Sequence, residues 1–449
     1  MTDQPSYTQL VAQVLVAAPG PLTLDEIWAQ VEPLRPVRTK NPRATLRGTI
    51  TSLPLATTLG GRPARYTWWP NHLPGCTFRQ PLSAADIASG SWVVNQETWL
   101  ALWPDFSAGA QRSAGAVTLE LAGGPILETR VIHLVPGKAV WGLPPTPALA
   151  AWYQQVAAQP GDAVFVRVVD VTARRYAVRL ARQAEQDTKA LAARDGELAA
   201  VAERLLRQGT RDLSGLYLVP RLIANDVYRD AVPPASWEQA LRADLRFVVH
   251  SGWGVSLVAK LVRALEREGE VSRDPFAVPR PSGQWHQARS PAGRQAWAEY
   301  LFSRGLDYRW AGYQIADEAH YRAALQLDPG HADAWVHLGN RRFAEGLVRE
   351  ALADYRRGRA AAEARTIGDP AAYPAPFWSD LDSRPFMRAL HGQGLCLWRL
   401  GQRAAARAVF ARMLALNPND NQGVRFLIPD LDAGLTWEES VAHEDEEAW

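Results

Sequence analysis

A 34-residue spacing recurs in the last third of the chain, and it constrains the fold more than any other feature of the sequence. Two glycine positions and one aromatic position share this spacing between their first two copies, and a third copy of each lies 55 residues further on. The positions are Gly305, Gly339 and Gly394; Gly312, Gly346 and Gly401; and Tyr321, Tyr355 and Phe410. A unit of this length is typically a pair of antiparallel helices that cannot bury its apolar face alone, so neighbouring units must stack.

The repeats define a region at 293–435, which is the last structured region that the sequence predicts. Three copies of the unit are predicted at 298–331, 332–365 and 387–420, with an insert at 366–386 between the second and the third. Pro329 and Pro418 close two of the copies, because proline cannot continue a helix. The first copy departs from the pattern at Asp317, where a small residue is expected. The proline- and aromatic-rich insert is expected to form an ordered loop or a packing segment on the stack.

The second copy contains Trp335-x-x-Leu338-Gly339 and then Ala351-x-x-x-Tyr355. With this pattern at a period of 34, the region resembles the tetratricopeptide repeat (TPR) family. The resemblance implies a stack of helical hairpins whose concave groove binds a protein or peptide partner. Polar residues on the first helices are the candidate groove residues: His337, Asn340, Arg341 and Arg399. The alternative is that each of these is an ordinary solvated polar position.

Residues 1–72 are predicted to form three helices followed by a β-hairpin. Apolar residues recur at helical spacing in three segments, and Asn41-Pro42 is a typical start for the third helix. Gly60-Gly61 separates two strand-like runs. The string PLTLDEIWAQV followed by KNPRATLRGTI resembles the HARE-type helix-turn-helix family, in which the module is a winged helix. That family occurs in chromatin-associated proteins, restriction enzymes and a bacterial RNA polymerase subunit, so the resemblance implies a nucleic-acid role.

Local charge favours the same role, although the chain as a whole has a net charge of only +2. Between Pro33 and Ala85 there are eight basic residues and no aspartate or glutamate. Arg43 and Arg47 are one helical turn apart and lie opposite the apolar stripe of the third helix, as recognition in the major groove requires. The candidate nucleic-acid-binding residues are Arg38, Lys40, Arg43, Arg47, Arg62 and Arg65. The alternative is a protein-docking winged helix, since scarce lysine and abundant arginine also follow from base composition.

The middle of the chain, 76–183, is predicted to be a mostly-β, barrel-like domain, because short β-prone runs alternate with Gly, Pro and Asp. Its order of motifs is weakly similar to the B3-type DNA-binding pseudobarrel. Five residues carry that resemblance: Phe78, Leu82, Asp86, Gly161 and Asp162. Gly161-Asp162 is equally typical of a tight turn. A second basic run, at Arg174, Arg175, Arg179 and Arg182, is compatible with a solvated hairpin.

Two segments connect these regions, and a third ends the chain. Residues 187–272 have helical periodicity and are predicted to form a helical bundle, with a further helix-turn-helix as the alternative. Residues 273–292 are rich in Pro, Arg, Gly and Ser and are predicted to be a linker. Residues 436–449 form an acidic tail, either a solvated end or a competitor for the basic N-terminal surface.

No catalytic constellation is recognisable in the sequence. There is no phosphate-binding loop, no nucleophile elbow and no His-Glu-x-x-His pair. The two cysteines, Cys76 and Cys396, lie in different predicted domains and have no zinc-ligand spacing. We therefore expect no catalytic residues, no metal and no cofactor. No apolar run is long enough for a membrane span, so no membrane partner is expected. A cytoplasmic setting fits the cysteine usage.

The sequence thus predicts a multidomain, mainly α protein with a central β domain. Its expected order is winged helix, barrel-like domain, helical bundle and TPR hairpins. The predicted function is a non-catalytic, nucleic-acid-associated regulator or adaptor of bacterial type, whose N-terminal module contacts DNA while the repeats bind a protein. The alternatives are a protein-interaction scaffold with no nucleic-acid binding, and an enzyme whose site lies in the β domain.

Overall fold

The computed structural model describes residues 5–36, 39–108, 115–134, 140–208, 213–250, 254–268, 278–374 and 377–447. It is mainly helical, with several small sheets. The chain divides into an N-terminal unit, Met1–Asp244 with Val249–Leu257, and a C-terminal unit, Leu245–Val248 with Val258–Trp449.

The N-terminal unit begins with three helices and a three-stranded sheet of order β1-β3-β2. These elements are α1 (Tyr7–Ala17), β1 (Leu22–Thr23), α2 (Leu24–Val31), α3 (Pro42–Ser52), β2 (Ala56–Gly60) and β3 (Arg65–Trp68). The predicted three helices and hairpin are present, and β1 is an additional strand. Val11, Ile27 and Leu46, one from each helix, are completely buried in a common core. Thr23 caps α2 in a reciprocal pair with Glu26.

The following segment contains two sheets and three helices. Its elements are β4 (Thr77–Pro81), α4 (Ala84–Ser89), β5 (Trp92–Val93), α5 (Gln96–Leu102), β6 (Val117–Leu121), β7 (Ile126–Thr129), β8 (Ile132–His133), β9 (Trp141–Leu143), α6 (Pro147–Gln155), β10 (Ala163–Asp170) and β11 (Arg175–Ala181). A five-stranded sheet has the order β4-β10-β11-β6-β7, and a three-stranded sheet has the order β5-β9-β8. The segment is rich in strands, as predicted, but the strands form two sheets rather than one barrel. Helices α5 and α6, which the sequence pattern did not predict, begin at the capping side chains of Asn95 and Thr146.

Residues that carry the weak B3 resemblance have structural partners here. The Asp86 carboxylate accepts the backbone N–H groups of Ser83 and Val93, both at 2.9 Å, so it caps α4 and fixes the next strand. Asp162 accepts the backbone N–H groups of Gln159 and Gln183. Gly161 has a φ of 98°, a backbone conformation that favours glycine. Local turn and cap chemistry accounts for these three positions without a nucleic-acid role.

The segment predicted as a helical bundle, 187–272, contains strands as well as helices. Its elements are α7 (Thr188–Gln208), β12 (Leu213–Ser214), α8 (Gly215–Ala224), α9 (Trp237–Ala243), β13 (Phe247–Val249), β14 (Gly254–Leu257) and α10 (Val258–Glu268). Their order from α7 to β14, with sheet order β12-β14-β13, repeats the arrangement of α1 to β3. A purely helical bundle is thus incorrect, because runs as short as FVV and GVSL have no periodicity that separates a strand from a helix.

The C-terminal unit is a series of helical hairpins. Its helices after α10 are α11 (Pro291–Trp310), α12 (Gln314–Leu327), α13 (Ala332–Ala344), α14 (Val348–Ala362), α15 (Arg384–Arg399), α16 (Arg403–Leu416), α17 (Val424–Asp432) and α18 (Trp437–Glu447). In the predicted linker, residues 273–277 lie outside the described ranges. The rest of it is ordered structure, because Trp285 is 3 % exposed in the core and α11 already begins at Pro291. In the insert, Phe377 is buried against the hairpins, as a packing segment would be.

Each hairpin packs the glycine of its first helix against the aromatic ring of its second. A Cβ added to Gly305, Gly339 or Gly394 would lie 2.5, 2.8 or 2.2 Å from the ring of Tyr321, Tyr355 or Phe410, respectively. The second glycine of each copy follows the first helix with a positive φ, between 75° and 82° at Gly312, Gly346 and Gly401. Two physical requirements therefore explain the repeat spacing. The two helices of each hairpin approach closely, and the residue after the first helix has a left-handed backbone conformation.

Candidate nucleic-acid interface

Helix α3 presents its basic side chains to solvent. Leu46 and Ile50 are buried, with exposures of 0 % and 2 %, and they fix the inner face of the helix. Arg43 and Arg47 are exposed on the opposite side, as their spacing predicts. The side chain of Asn41 accepts the N–H of Ala44 at 3.1 Å, and Pro42 occupies the first turn, so the start of the helix is fixed.

The two arginines of α3 differ in their partners. Arg43 forms an ion pair with Asp25 of α2 at 2.8 Å, and both side chains are about two-thirds exposed (66 % and 69 %). Such an exposed pair contributes no more than about 1 kcal/mol, so it does not prevent Arg43 from contacting another anion. Among the described residues, Arg47 makes no ion pair. The sequence did not indicate the pair with Asp25, because that carboxylate lies outside the acid-free interval.

The other candidate residues lie outside α3. Arg38 lies outside the described residues. Lys40 is exposed immediately before α3, and Arg62 is exposed in the turn between β2 and β3. Arg65 is exposed at the start of β3. Hydrogen bonds from Thr23 and the charge of Arg65 lower the pKa of Glu26, so this arginine also faces a carboxylate of α2.

The acid-free interval does not map onto a single surface. Arg79 is mostly buried and donates to Gln186 Oε1 at 2.6 Å. Burial lowers the pKa of Arg79, while Asp195 opposes that effect. Arg35 donates to the carbonyl of Pro5 at 2.7 Å. These two arginines therefore support the fold rather than the candidate interface.

Two of the candidate groove residues are packed against aromatic rings. The ring of His337 lies 5.4 Å from that of Phe302 and 5.2 Å from that of Tyr321. Burial lowers the pKa of His337 to about 4, so the imidazole is neutral at physiological pH. Asn340 Oδ1 accepts the hydroxyl of Tyr355 at 2.7 Å. Both side chains are only partly accessible to a peptide.

Arg341 belongs to an ionic network inside the hairpin stack. Its guanidinium lies 3.3 Å from Asp317, 2.8 Å from Glu318 and 3.2 Å from Glu345, and its side chain is 17 % exposed. Burial raises the pKa of Asp317 to about 6, against the opposing charge of Arg341. The unexpected aspartate of the first copy is thus the partner of an arginine in the second. Arg341, a candidate groove residue, is thus already paired with three carboxylates of the stack.

Arg399 is held by the last helix of the described chain. Its Nε lies 2.9 Å from Glu438, and its Nη1 donates to the carbonyl of Phe343 at 3.0 Å. The guanidinium also lies over the rings of Phe343 and Trp437, at 5.1 and 4.7 Å from their centres. The expected acidic tail is therefore helix α18 up to Glu447, with its first turn packed against α13 and α15. Thr436 and Glu439 form a reciprocal cap, a sequence signature that could have predicted this helix.

Among the residues that the structure describes, no group of three or more His, Cys, Asp or Glu residues could hold a metal ion. In the same ranges, every helix is too short or too polar to cross a bilayer.

In comparisons with known proteins, no family model matches the chain and no curated protein matches its sequence.

Proposed function

We propose that this protein is a non-catalytic, nucleic-acid-associated regulator or adaptor. In this proposal residues 5–72 form a HARE-type winged helix that contacts DNA. The hairpins α11 to α16 form a TPR-type stack that binds a protein partner. The cytoplasmic, bacterial setting and the absence of catalysis are parts of the same proposal.

The order of elements supports a winged helix. Helix, strand, two helices and a hairpin follow one another, and the short first strand pairs with β3 at one edge of the sheet. In winged helices the third helix enters the major groove and the hairpin approaches the backbone. Here α3 and the β2–β3 turn hold the exposed basic residues Arg47 and Arg62.

The observation that carries the proposal is the outward face of α3. Arg43 and Arg47 form one i, i+4 row on α3, and the small residues Ala44 and Gly48 form the row beside it; all four are exposed. No Cβ-sized obstacle lies near Gly48, since nothing is within 4 Å of the position a Cβ would take. Small residues beside two guanidinium groups allow a helix to approach a phosphate backbone or a base edge closely.

A salt titration of the full chain against a random DNA duplex tests this proposal. We expect affinity to fall steeply with salt, because each neutralised phosphate adds about 0.9 to the slope of log K against log salt. The double variant Arg43→Glu/Arg47→Glu should abolish binding. The control Arg349→Glu/Arg356→Glu makes the same charge change on exposed positions of α14 and should bind like the wild type. Equal loss in both double variants, or no binding at low salt, would refute the DNA contact.

One observation favours the alternative, a protein-interaction scaffold. Asp25 and Glu26 at the start of α2 lie against Arg43 and Arg65, so part of the basic surface is neutralised within the module. A mixed surface of this kind suits a protein partner better than a polyanion. Under this alternative the charge reversal on α3 changes the set of co-purifying proteins, and the wild type shows no salt-dependent DNA binding.

A further inference from the structure

One face of the five-stranded sheet has exposed side chains on its two central strands, those of Arg167 on β10 and Arg179 on β11. The strand register places Thr77, Arg167, Ala177 and Glu120 in one row across β4, β10, β11 and β6. In the next row Phe165 stands opposite Arg179. Because Thr77 and Ala177 are small, they leave space around the long side chain of Arg167.

That space is a cavity of about 680 Å³ on the N-terminal unit. Small residues line part of it, among them Gly75, Thr77, Ala122 and Ala177, and three arginines reach it, Arg167, Arg179 and Arg229. Its size lies within the range of about 300–1,000 Å³ that is usual for small-molecule sites.

Some arginines of this region have an ion-pair or hydrogen-bond partner, and others have no ion pair among the described residues. In the basic run at the β10–β11 hairpin, Arg174 pairs with Asp105 at 2.9 Å and Arg175 donates to Glu120 at 3.1 Å. Arg182 donates to the carbonyl of Val156 at 2.9 Å. Arg179 instead lies over the ring of Phe165, 4.4 Å from its centre, and has no ion pair among the described residues.

Arg167 is the second arginine of the cavity for which the described residues provide no ion pair. It is exposed on β10, diagonal to Arg179 across the strand pair, where Cβ atoms are about 7–8 Å apart. The neighbouring carboxylates have other partners. Glu120 accepts from Arg175, and Asp230 lies 3.9 Å from Arg194. The third arginine, Arg229, is bound to Asp226 at 2.7 Å. Two guanidinium groups without an ion pair among the described residues therefore face one cavity, whose lining also contains the carboxylates of Glu120 and Asp230.

We propose that this cavity binds the phosphate groups of a nucleotide-sized ligand. Guanidinium groups donate pairs of parallel N–H bonds to phosphate oxygens, and two of them side by side match a polyphosphate better than a single carboxylate. The stacking of Arg179 on Phe165 orients one guanidinium before the ligand arrives. The small residues between the strands provide the volume for the rest of the ligand.

Isothermal titration of the full chain with ATP, inorganic pyrophosphate and adenosine tests the proposal. ATP and pyrophosphate should bind saturably at one site, and adenosine should not. Arg167→Gln and Arg179→Gln should each weaken ATP binding by about 10- to 100-fold, the usual effect of losing a hydrogen bond to a charged group. Arg179→Lys keeps the charge but loses the paired donors, so it should weaken binding by an intermediate factor.

Arg182→Gln is the matched control, since Arg182 directly follows β11, does not line the cavity and donates to the carbonyl of Val156. It should leave ATP affinity within about threefold of the wild type, because substitutions of exposed residues outside a site change free energies little. Circular dichroism establishes that each variant is folded. No saturable binding of either phosphate ligand, or an equal loss in Arg182→Gln, would overturn the proposal. Binding of single-stranded DNA in place of ATP, with the same arginine dependence, would also overturn it in favour of a nucleic-acid surface. The Arg43→Glu/Arg47→Glu variant should retain ATP binding, so the two proposals fail independently.

Discussion

Glu97 on α5 is a carboxyl group buried inside the N-terminal unit, with 1 % of its surface exposed. One oxygen accepts the backbone N–H of Trp237 at 3.0 Å, and the other has no hydrogen-bond partner among the described residues. Burial raises the pKa of Glu97 to about 8, and the hydrogen bonds from the backbone oppose that rise only in part. The folded protein therefore holds this side chain in its protonated form at neutral pH, where an exposed glutamate is ionised.

Replacing Glu97 should change how the free energy of unfolding depends on pH. The unfolded chain releases the Glu97 proton near pH 4.5 and the folded chain near pH 8, so the folded state binds more protons between these values. The free energy of unfolding therefore falls as pH rises through this window. Glu97→Gln removes the titration and should stabilise the protein at pH 8 by a few kcal/mol, at about 1.4 kcal/mol per pKa unit. Urea unfolding across the window measures this, and parallel curves for both proteins would contradict it.

At the scale of secondary-structure elements, the helical hairpins depend on close contacts that glycine allows. In the third hairpin, α15 and α16, a Cβ at Gly394 would lie 2.2 Å from the ring of Phe410, which is completely buried. An aromatic ring in a packed core cannot move away without displacing its neighbours. The glycine and the ring are therefore one structural requirement, expressed at two sequence positions 16 residues apart.

We expect Gly394→Ala to destabilise the C-terminal unit by about 1–3 kcal/mol, the usual cost of overpacking a core. Differential scanning calorimetry of the full chain measures the change. Gly48→Ala on α3 is the control, because nothing lies within 4 Å of its Cβ position and alanine favours a helix. The double variant Gly394→Ala/Phe410→Leu should show less than the sum of the two single effects, because the methyl group fills space left by the ring. Strict additivity would show that the two positions are independent.

At the scale of the whole molecule, the two units contain different buried titratable groups. Glu97 belongs to the N-terminal unit, whereas His320 and His337 belong to the C-terminal unit. Burial lowers the pKa of both imidazoles to about 4. The Nδ1–H of His320 donates to the carbonyl of Ala316 at 2.7 Å, so its ring is fixed inside the stack. The units therefore have distinct responses to pH.

Acidification should unfold the C-terminal unit before the N-terminal unit. The unfolded histidines take up protons below pH 6.5 and the folded ones only near pH 4, so stability falls as pH falls through this interval. Hydrogen exchange followed by mass spectrometry, corrected for intrinsic rates, should show α12 and α13 losing protection first. His337→Phe keeps an aromatic ring between Phe302 and Tyr321 and should reduce this pH sensitivity. Equal loss of protection in both units, or no effect of the substitution, would contradict the assignment.

The sequence by itself determined the local elements. Periodic apolar residues, the Asn41-Pro42 helix start and the Gly60-Gly61 turn depend on residues a few positions apart, and these predictions agree with α1 to α3 and the β2–β3 hairpin. The outward direction of Arg43 and Arg47 followed from the buried stripe on the same helix. The 34-residue spacing predicted the pairs of helices. It recurs because each hairpin needs a glycine on its first helix where the aromatic ring of its second helix packs.

Only the tertiary structure decided which charges are free. Asp25 is 18 positions from Arg43, Asp317 is 24 from Arg341 and Glu438 is 39 from Arg399, and no local pattern links such partners. The same holds for the β10–β11 hairpin, where four arginines of equal appearance divide into three bound ones and Arg179. Ion pairing depends on a few ångströms of separation between distant segments, and that distance is set by the packing of the whole unit.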